Sequence, residues 1–111
     1  MKTIIAGSRT ITEPRLLREL IEKSGFNITE VVSGGAKGVD AMGEQWAREN
    51  KIPIKRFDPD WDKYGAGAGP ERNRLMAEYA EALIVLWDGR SRGTANMIAN
   101  ALYERLKIAF E

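Results

Sequence analysis

The chain has 111 residues, 17 Lys+Arg against 16 Asp+Glu for a formal net charge of +1, 43% hydrophobic residues, and neither Cys nor His. That size and balance describe one globular domain over residues 1–111, large enough to bury a single core without disulfide or metal staples. The missing residue types exclude Cys/His zinc and iron–sulfur sites, thiol nucleophiles, Ser-His-Asp triads and imidazole bases, so neither a metal nor a cofactor is expected, and any chemistry falls to carboxylates, hydroxyls, Lys, Arg or backbone amides.

Lys2–Ala6 is a short β-branched run closed by Gly7-Ser8-Arg9-Thr10, a first strand and its loop. Thr12-Glu13-Pro14 supplies an N-cap and an early Pro, and Leu16, Leu17, Leu20 and Ile21 share one helical face, which predicts a helix over 14–24 stopped by Gly25. Glu30–Ser33 reads as a second strand running through Gly34-Gly35-Ala36-Lys37-Gly38 into a helix with Val39, Met42, Trp46 and Ala47 inward. Ile52–Phe57 reads as a third strand, and Pro53 near its start favours an edge position. Asp58–Gly69 is an Asp/Gly-rich segment containing Trp61 and Tyr64, longer than an ordinary strand-to-helix loop. A helix from Pro70 carries Arg72, Leu75, Met76, Tyr79 and Ala80, followed by the most apolar strand, Ala82–Trp87. After the loop Asp88–Thr94, a final helix holds Met97, Ile98, Ala101, Leu102, Leu106 and, at its end, Phe110 along one face. The longest apolar run, Ala82–Trp87, falls far short of the ~20 residues that cross a bilayer, and Met1–Ser8 lacks a signal-peptide core, so a cytoplasmic protein without a membrane partner is expected.

Four alternations of strand and helix predict an α/β fold, a Rossmann-like three-layer α/β/α arrangement around a small parallel sheet of four strands, or five if the chain end adds one. In such a sheet every strand-to-helix loop leaves at the carboxyl edge, where ligands bind near the point of strand-order reversal. Four segments converge there: Gly7-Ser8-Arg9, Ser33-Gly34-Gly35-Ala36-Lys37-Gly38-Val39-Asp40, Gly69-Pro70-Glu71-Arg72-Asn73-Arg74, and Trp87-Asp88-Gly89-Arg90-Ser91-Arg92-Gly93-Thr94. Small residues let the backbone approach a ligand, helix N-termini offer free amides, and Arg brings paired N–H donors to a phosphate.

Each residue also has a purely structural explanation. Tight turns need Gly for steric reasons, lone loop arginines are solvated, Asp40 suits a first helical turn, and Thr94 suits an N-cap. Met42 and Trp46 read as core, while Trp61 and Tyr64 divide evenly between packing and base stacking. The coincidence of four loops is what favours an anion site. No Gly-x-x-x-x-Gly-Lys-[Ser/Thr] is present and Gly65–Gly69 follows no strand, which excludes a P-loop and a dinucleotide fingerprint.

Taken together, Gly7-Ser8-Arg9, the Ser33–Asp40 segment, Gly69-Pro70-x-Arg72-Asn73-x-x-Met76 and Trp87-Asp88-Gly89-x-Ser91-x-Gly93-Thr94-x-Asn96-Met97 resemble the YspA-like branch of the SLOG superfamily. Its relatives include LOG-type nucleoside-monophosphate phosphoribohydrolases, the DNA-processing protein DprA, and sensor domains for nucleotide-derived signals. The resemblance implies a nucleotide or nucleotide-sugar ligand, bound by Gly7, Ser8, Arg9, Ser33, Gly34, Gly35, Ala36, Gly38, Asp40, Arg72, Asn73, Trp87, Asp88, Gly89, Ser91, Gly93, Thr94 and Asn96. Gly34, Gly35, Gly93 and Thr94 would hold phosphate, Arg72 and Arg9 would neutralise it, and Asp40 or Asp88 would take ribose hydroxyls.

Departures from the LOG pattern matter for chemistry. Arg72, Met76, Gly93 and Thr94 match it, but Asn73 stands where Lys is usual and Met97 where LOG enzymes carry the Glu of N-glycosidic cleavage. Arg72, Glu71 and Asp88 are the remaining catalytic candidates. A binding or sensing module is therefore expected, with a LOG-like hydrolase and a DprA-like single-stranded DNA binder as alternatives; the near-neutral charge argues against nucleic acid. Relatives also turn through a Gly into a fifth strand, whereas Leu106–Glu111 offers no turn residue. A sheet one strand short, with an open edge covered by homodimerisation, is the corresponding expectation.

Overall fold

Strands buried on both faces favour apolar residues at every position, and the central pair of this sheet, apart from Lys2 and Thr3 at the start of its first strand, fits that preference. In the computed structural model, which describes residues 1–111, β1 (Lys2–Gly7), β2 (Glu30–Ser33), β3 (Ile54–Arg56), β4 (Ala82–Leu86) and β5 (Lys107–Phe110) form one parallel sheet in the order β3-β2-β1-β4-β5. All five residues of β4 are buried, as expected of a strand covered by helices on both sides. The register aligns Ile4 with Val32 on one side and with Leu83 on the other.

Alternation divides the core into two layers. Ile4, Ala6, Val32, Leu83 and Val85 face α4 (Ala68–Tyr79) and α5 (Arg92–Tyr103), meeting Met76, Ala77, Met97 and Ala101. Ile5, Val31, Ile84 and Leu86 face α1 (Pro14–Ser24) and α2 (Val39–Glu49), meeting Leu17, Leu20, Val39 and Ala47. Met42 and Trp46 pack on this second layer but remain half-buried. The α/β, Rossmann-like architecture is thus the observed one, and no helix is long and apolar enough to cross a membrane. Helix α1 occupies 14–24, as its periodicity predicts, and Gly25 ends it at φ 67°.

Three expectations are corrected. The sheet is not one strand short but has the fifth strand that the chain end offered as the alternative, because the turn before β5 is made without glycine. Arg105 adopts φ 60°, and its amide donates to the Leu102 carbonyl at 3.1 Å while the Leu106 amide donates to Ala101 at 3.0 Å. This is a Schellman closure with Arg in the left-handed position that Gly usually takes. Helix α2 ends the same way, with Lys51 at φ 56° and the Ile52 amide on Ala47 at 2.8 Å.

The final helix consequently stops at Tyr103. Leu106 packs against the core from the turn, Phe110 lies on β5, and Leu102 is exposed rather than inward. Finally, Asp58–Gly69 is not an open loop. Asp60 caps a short α3 (Trp61–Tyr64) through the Lys63 amide at 3.1 Å, a 3-10 turn spans Gly65–Gly67, and α4 begins at Ala68, before Pro70. The third strand is trimmed to Ile54–Arg56 and does lie at an edge.

An L-residue in the left-handed region carries a backbone penalty of roughly 1 kcal/mol that glycine avoids. Arg105→Gly is therefore expected to stabilise the protein by up to about 1 kcal/mol, read as a melting-temperature rise of at most roughly 4–8 °C. A clear fall in Tm in a thermal melt would contradict this account of the turn.

Candidate functional site

The chain reverses its direction of sheet growth between β1 and β4, so the loops leaving these two neighbours part to opposite faces and open a cleft between them. The cleft is lined from β1 and its loop by Ala6, Gly7 and Arg9, and from the β2–α2 segment by Gly34, Ala36 and Asp40. Helix α4 adds Arg72, Asn73 and Met76, and the start of α5 adds Ser91, Gly93, Thr94 and Met97. A second cleft, made by Gly69, Pro70, Arg92 and Asn96, adjoins the first across Arg72, Asn73 and Gly93.

Asp40 is the only carboxylate lining either cleft, and it is 6% exposed. Burial pushes its pKa up from 3.8; the Ala36 amide, Arg72 and the Gly7 amide pull the other way without overcoming desolvation. The Ala36 amide donates to Asp40 Oδ2 at 3.3 Å. Arg72 is anchored across the cleft, Nη1 donating to the Gly34 carbonyl at 2.7 Å and Nε to Asn73 Oδ1 at 2.9 Å. Asn73 in turn ties α4 to α5, its Nδ2 donating to the Gly93 carbonyl at 3.2 Å and to Asn96 Oδ1 at 3.0 Å. Partial burial draws the Arg72 guanidinium below its ordinary value, against the attraction of Asp40 and Asp58.

Arg15, Arg48, Arg56 and Arg74 have a carboxylate within 4 Å, whereas Arg9, Arg72, Arg90 and Arg92 on the rim, like Arg18 and Arg105 away from it, have none. Glycines divide by cause. A Cβ on Gly7 would lie 2.1 Å from the Leu86 carbonyl, one on Gly34 would lie 2.7 Å from Arg72 Nη1, and one on Gly38 would strike the Ser8–Arg9 backbone at 2.6 Å. Gly7 and Gly38 are glycine because backbone presses on them, whereas Gly34 leaves the space that the Arg72 guanidinium occupies. Gly93 lines both clefts with nothing within 4 Å of its Cβ position and no left-handed φ, so no neighbour and no turn demands it.

Of the other sequence-derived candidates, Ser8, Ser33, Gly35, Trp87 and Gly89 lie around the cleft rather than in it, while Ser91 lines it. Ser8 is buried and its Oγ accepts from the Asp88 amide at 3.0 Å, fastening the β1 loop to the β4 loop. Ser33 Oγ donates to Glu44 at 2.6 Å and accepts from the Gly35 amide at 3.1 Å, while Gly35 sits against Arg56 at φ 73°. Trp87 donates from Nε1 to the Ser91 carbonyl at 3.0 Å, and Gly89 occupies φ 81°. Ser91 caps α5 by accepting from the Thr94 amide and hydroxyl at 3.3 and 3.0 Å.

Of the catalytic candidates, only Arg72 lines the cleft. Glu71 is engaged by Arg74, which lowers its pKa. Asp88 accepts from the Arg90 and Ser91 amides at 2.8 and 2.9 Å and from Thr10 Oγ1 at 3.2 Å, bonds that pull its pKa down to about 2. Met76 and Met97 form the apolar floor, so the position where LOG enzymes carry Glu is apolar here. Sequence reasoning missed Ala6 in the lining and the support given by Glu44; both lie where helical or strand periodicity reads simply as packing.

A model of the YspA, cpYpsA-related SLOG family matches residues 1–64, more than half of the sequence. The chain belongs to this family. Among solved structures, this SLOG-family chain is similar to DNA processing protein A (DprA) from Streptococcus pneumoniae, with TM-score 0.76 and 20% identity over 96% of this chain and 48% of that one. At that identity the likeness is one of fold, and the chain spans about half the length of that protein. No curated protein matches it.

The two aspartates give opposite pH signatures. Asp40 binds its proton more tightly folded than unfolded, so its cost to stability is absent at low pH and grows as pH rises from 3.8 through the higher folded value. Asp40→Asn is expected to melt above the wild type at neutral pH, the gap closing in acid. Asp88 stabilises above 3.8 and loses that contribution as pH falls toward about 2. Asp88→Asn is expected to melt below the wild type at neutral pH and to converge with it near the acid limit. Differential scanning fluorimetry across pH measures both trends.

Proposed function

We propose that the chain is a binding module for a nucleotide or nucleotide derivative, with the anionic end of the ligand at Gly93, Arg9 and Arg72. The observation that carries this reading is Gly93. Among the glycines of the first cleft it alone has no packing or backbone explanation, it is the one glycine shared by both clefts, it opens α5, and arginines without a carboxylate partner flank it. The first amides of α5 and its dipole favour a phosphate there, and the buried Asp40 is placed to accept from ribose hydroxyls. Family membership supports the same reading, since the resemblance seen in the motifs implies nucleotide-derived ligands.

Hydrolysis is the second reading, and it rests on Asp40 alone. A single carboxylate, held in the cleft with a raised pKa, has the character of a general acid or base. Its engagement with Ala36 and Arg72 fits a positioning and ribose-binding role better. Release of free base from a nucleoside monophosphate, abolished in Asp40→Asn, is the result that would favour the enzyme. The fold likeness to DprA, a DNA processing protein, raises single-stranded DNA as a third ligand, for which binding that falls steeply with salt is the signature.

A thermal-shift titration with nucleoside mono-, di- and triphosphates, NAD and ADP-ribose tests the proposal. A ligand at a hundredfold excess over its Kd stabilises by ~2.7 kcal/mol, well above the scatter of a melt. Gly93→Ala is expected to melt at or slightly above the wild type, since alanine favours the helix, while losing the ligand shift. Arg9→Ala removes a charge-assisted contact of about 1.5–3 kcal/mol, so affinity should fall roughly 10- to 100-fold with no loss of stability. Full ligand binding by Gly93→Ala, or a flat response across the panel, would overturn this reading.

A further inference from the structure

The two edges of the sheet are built differently. β3 is only three residues long, follows Pro53 and exposes Lys55 and Arg56, which are features that discourage pairing. β5 has no Pro, Gly or bulge, and its ladder with β4 runs on through Glu111, whose amide donates to Val85 at 3.1 Å and whose carbonyl accepts from Trp87 at 3.0 Å. In a parallel ladder alternate residues of a strand turn their N–H and C=O to the same side. Lys107 and Glu111 direct theirs to β4, so Ala109 does too, and Ile108 and Phe110 point theirs to the free edge.

We propose that two copies of this chain join through β5, antiparallel about a two-fold axis at Ala109, into one ten-stranded sheet. This register sets Ile108 opposite Phe110 of the second copy, and the reverse, exchanging four backbone hydrogen bonds. It also sets Lys107 opposite Glu111 in both directions, so the edge is complementary to itself in charge as well as in hydrogen bonding. Other registers fail physically. A shift by half a step brings outward-pointing groups against inward-pointing ones. Centring on Ile108 sets Lys107 against Ala109 and Glu111 against Arg105, which lies in the left-handed turn. Centring on Phe110 sets Glu111 against Ala109, so that Lys107 and Glu111 no longer meet.

The faces agree with this pairing. Glu111 meets Lys23 of α1 at 3.7 Å, which places Lys107, Ala109 and Glu111 on the α1–α2 side. Ile108 packs with the α4–α5 core, and Phe110 shares its side. Phe110, Leu102 and Tyr103, exposed by 74%, 64% and 85%, are the three most exposed large apolar residues, and all belong to the last helix and strand. A concentration of exposed apolar side chains beside an open edge marks an interaction surface. The occupant that answers both the pattern of charges and the hydrogen-bond phase is this same strand.

Sedimentation velocity and light scattering on the full chain over a range of concentrations test the proposal. The wild type is expected to show a reversible dimer. Lys107→Glu and Glu111→Lys each place like charges opposite one another twice, and each should weaken dimerisation by tenfold or more; Lys107→Glu should leave the melting curve of the monomer unchanged, whereas Glu111→Lys also gives up the exposed pair with Lys23. The double exchange, Lys107→Glu with Glu111→Lys, should restore dimerisation. The chain has no cysteine, so Ala109→Cys supplies a second measurement. Residues opposite each other in a non-hydrogen-bonded antiparallel pair have Cα atoms about 4.5 Å apart, within disulfide range. Mild oxidation should therefore yield a covalent dimer, whereas Glu78→Cys on exposed α4 should not. A strict monomer at every concentration, or a dimer indifferent to the charge exchanges and not cross-linked at Ala109→Cys, would overturn the proposal.

Discussion

Burial of the Asp40 carboxylate is the constraint around which the cleft is arranged. A desolvated carboxylate is expensive unless donors and a cation surround it. Its partners are drawn from three separate segments: the amide of Gly7 at the end of β1, the amide of Ala36 before α2, and the guanidinium of Arg72 on α4. Arg72 then needs an acceptor of its own and finds the Gly34 carbonyl. Its guanidinium occupies the space a side chain at 34 would fill. Asn73 continues the chain of contacts to α5. One buried charge thus links the loops that close on one another, and the guanidinium that answers it fills the space beside Gly34.

That accounting leaves the arginines at the mouth and Gly93 without an internal purpose. Arg9 and Arg92 satisfy no carboxylate, although paired arginines occur elsewhere on the same small domain. The positive potential they create, with the amides of α5, is directed outward to whatever enters. The cleft therefore combines an internally satisfied wall with a mouth whose arginines have no carboxylate partner.

The architecture was legible because parallel strands covered on both faces must be apolar throughout, and Ala82–Leu86 and Lys2–Gly7 are nearly so. Helix limits were legible where a stop residue has only one physical role, as Gly25 does. They were not legible at Arg105 and Lys51, which enter the left-handed region because the capping hydrogen bonds and the docking of Leu106 and Ile52 override the local preference of an L-residue. Asp58–Gly69 hid a capped helical turn because its Gly and Asp content reads as loop, and only tertiary contact with α4 decides otherwise. Within the site, the rim segments could be read as a group, but individual roles could not. Asp88 and Ser33 look like ligand contacts in sequence and spend their hydrogen bonds on neighbouring loops. Asp40 looks like a helix-start acid and is the charge at the centre of the cleft.

The position of β1 has a consequence for how the chain acquires its structure. As the middle strand it pairs with β2 on one side and with β4 on the other, and β4 begins some fifty residues after β2. During synthesis, the segment from β1 to β3 emerges with one edge of β1 open and with Ile4 and Val32 lacking the helices that cover them, since Met76 and Met97 are still to come. Pairing across that gap closes a long loop before it gains any burial. The nascent amino-terminal half consequently holds an uncovered apolar face and a bare strand edge until the β4 segment has left the ribosome. Covering of that face therefore waits on the pairing of β1 with β4.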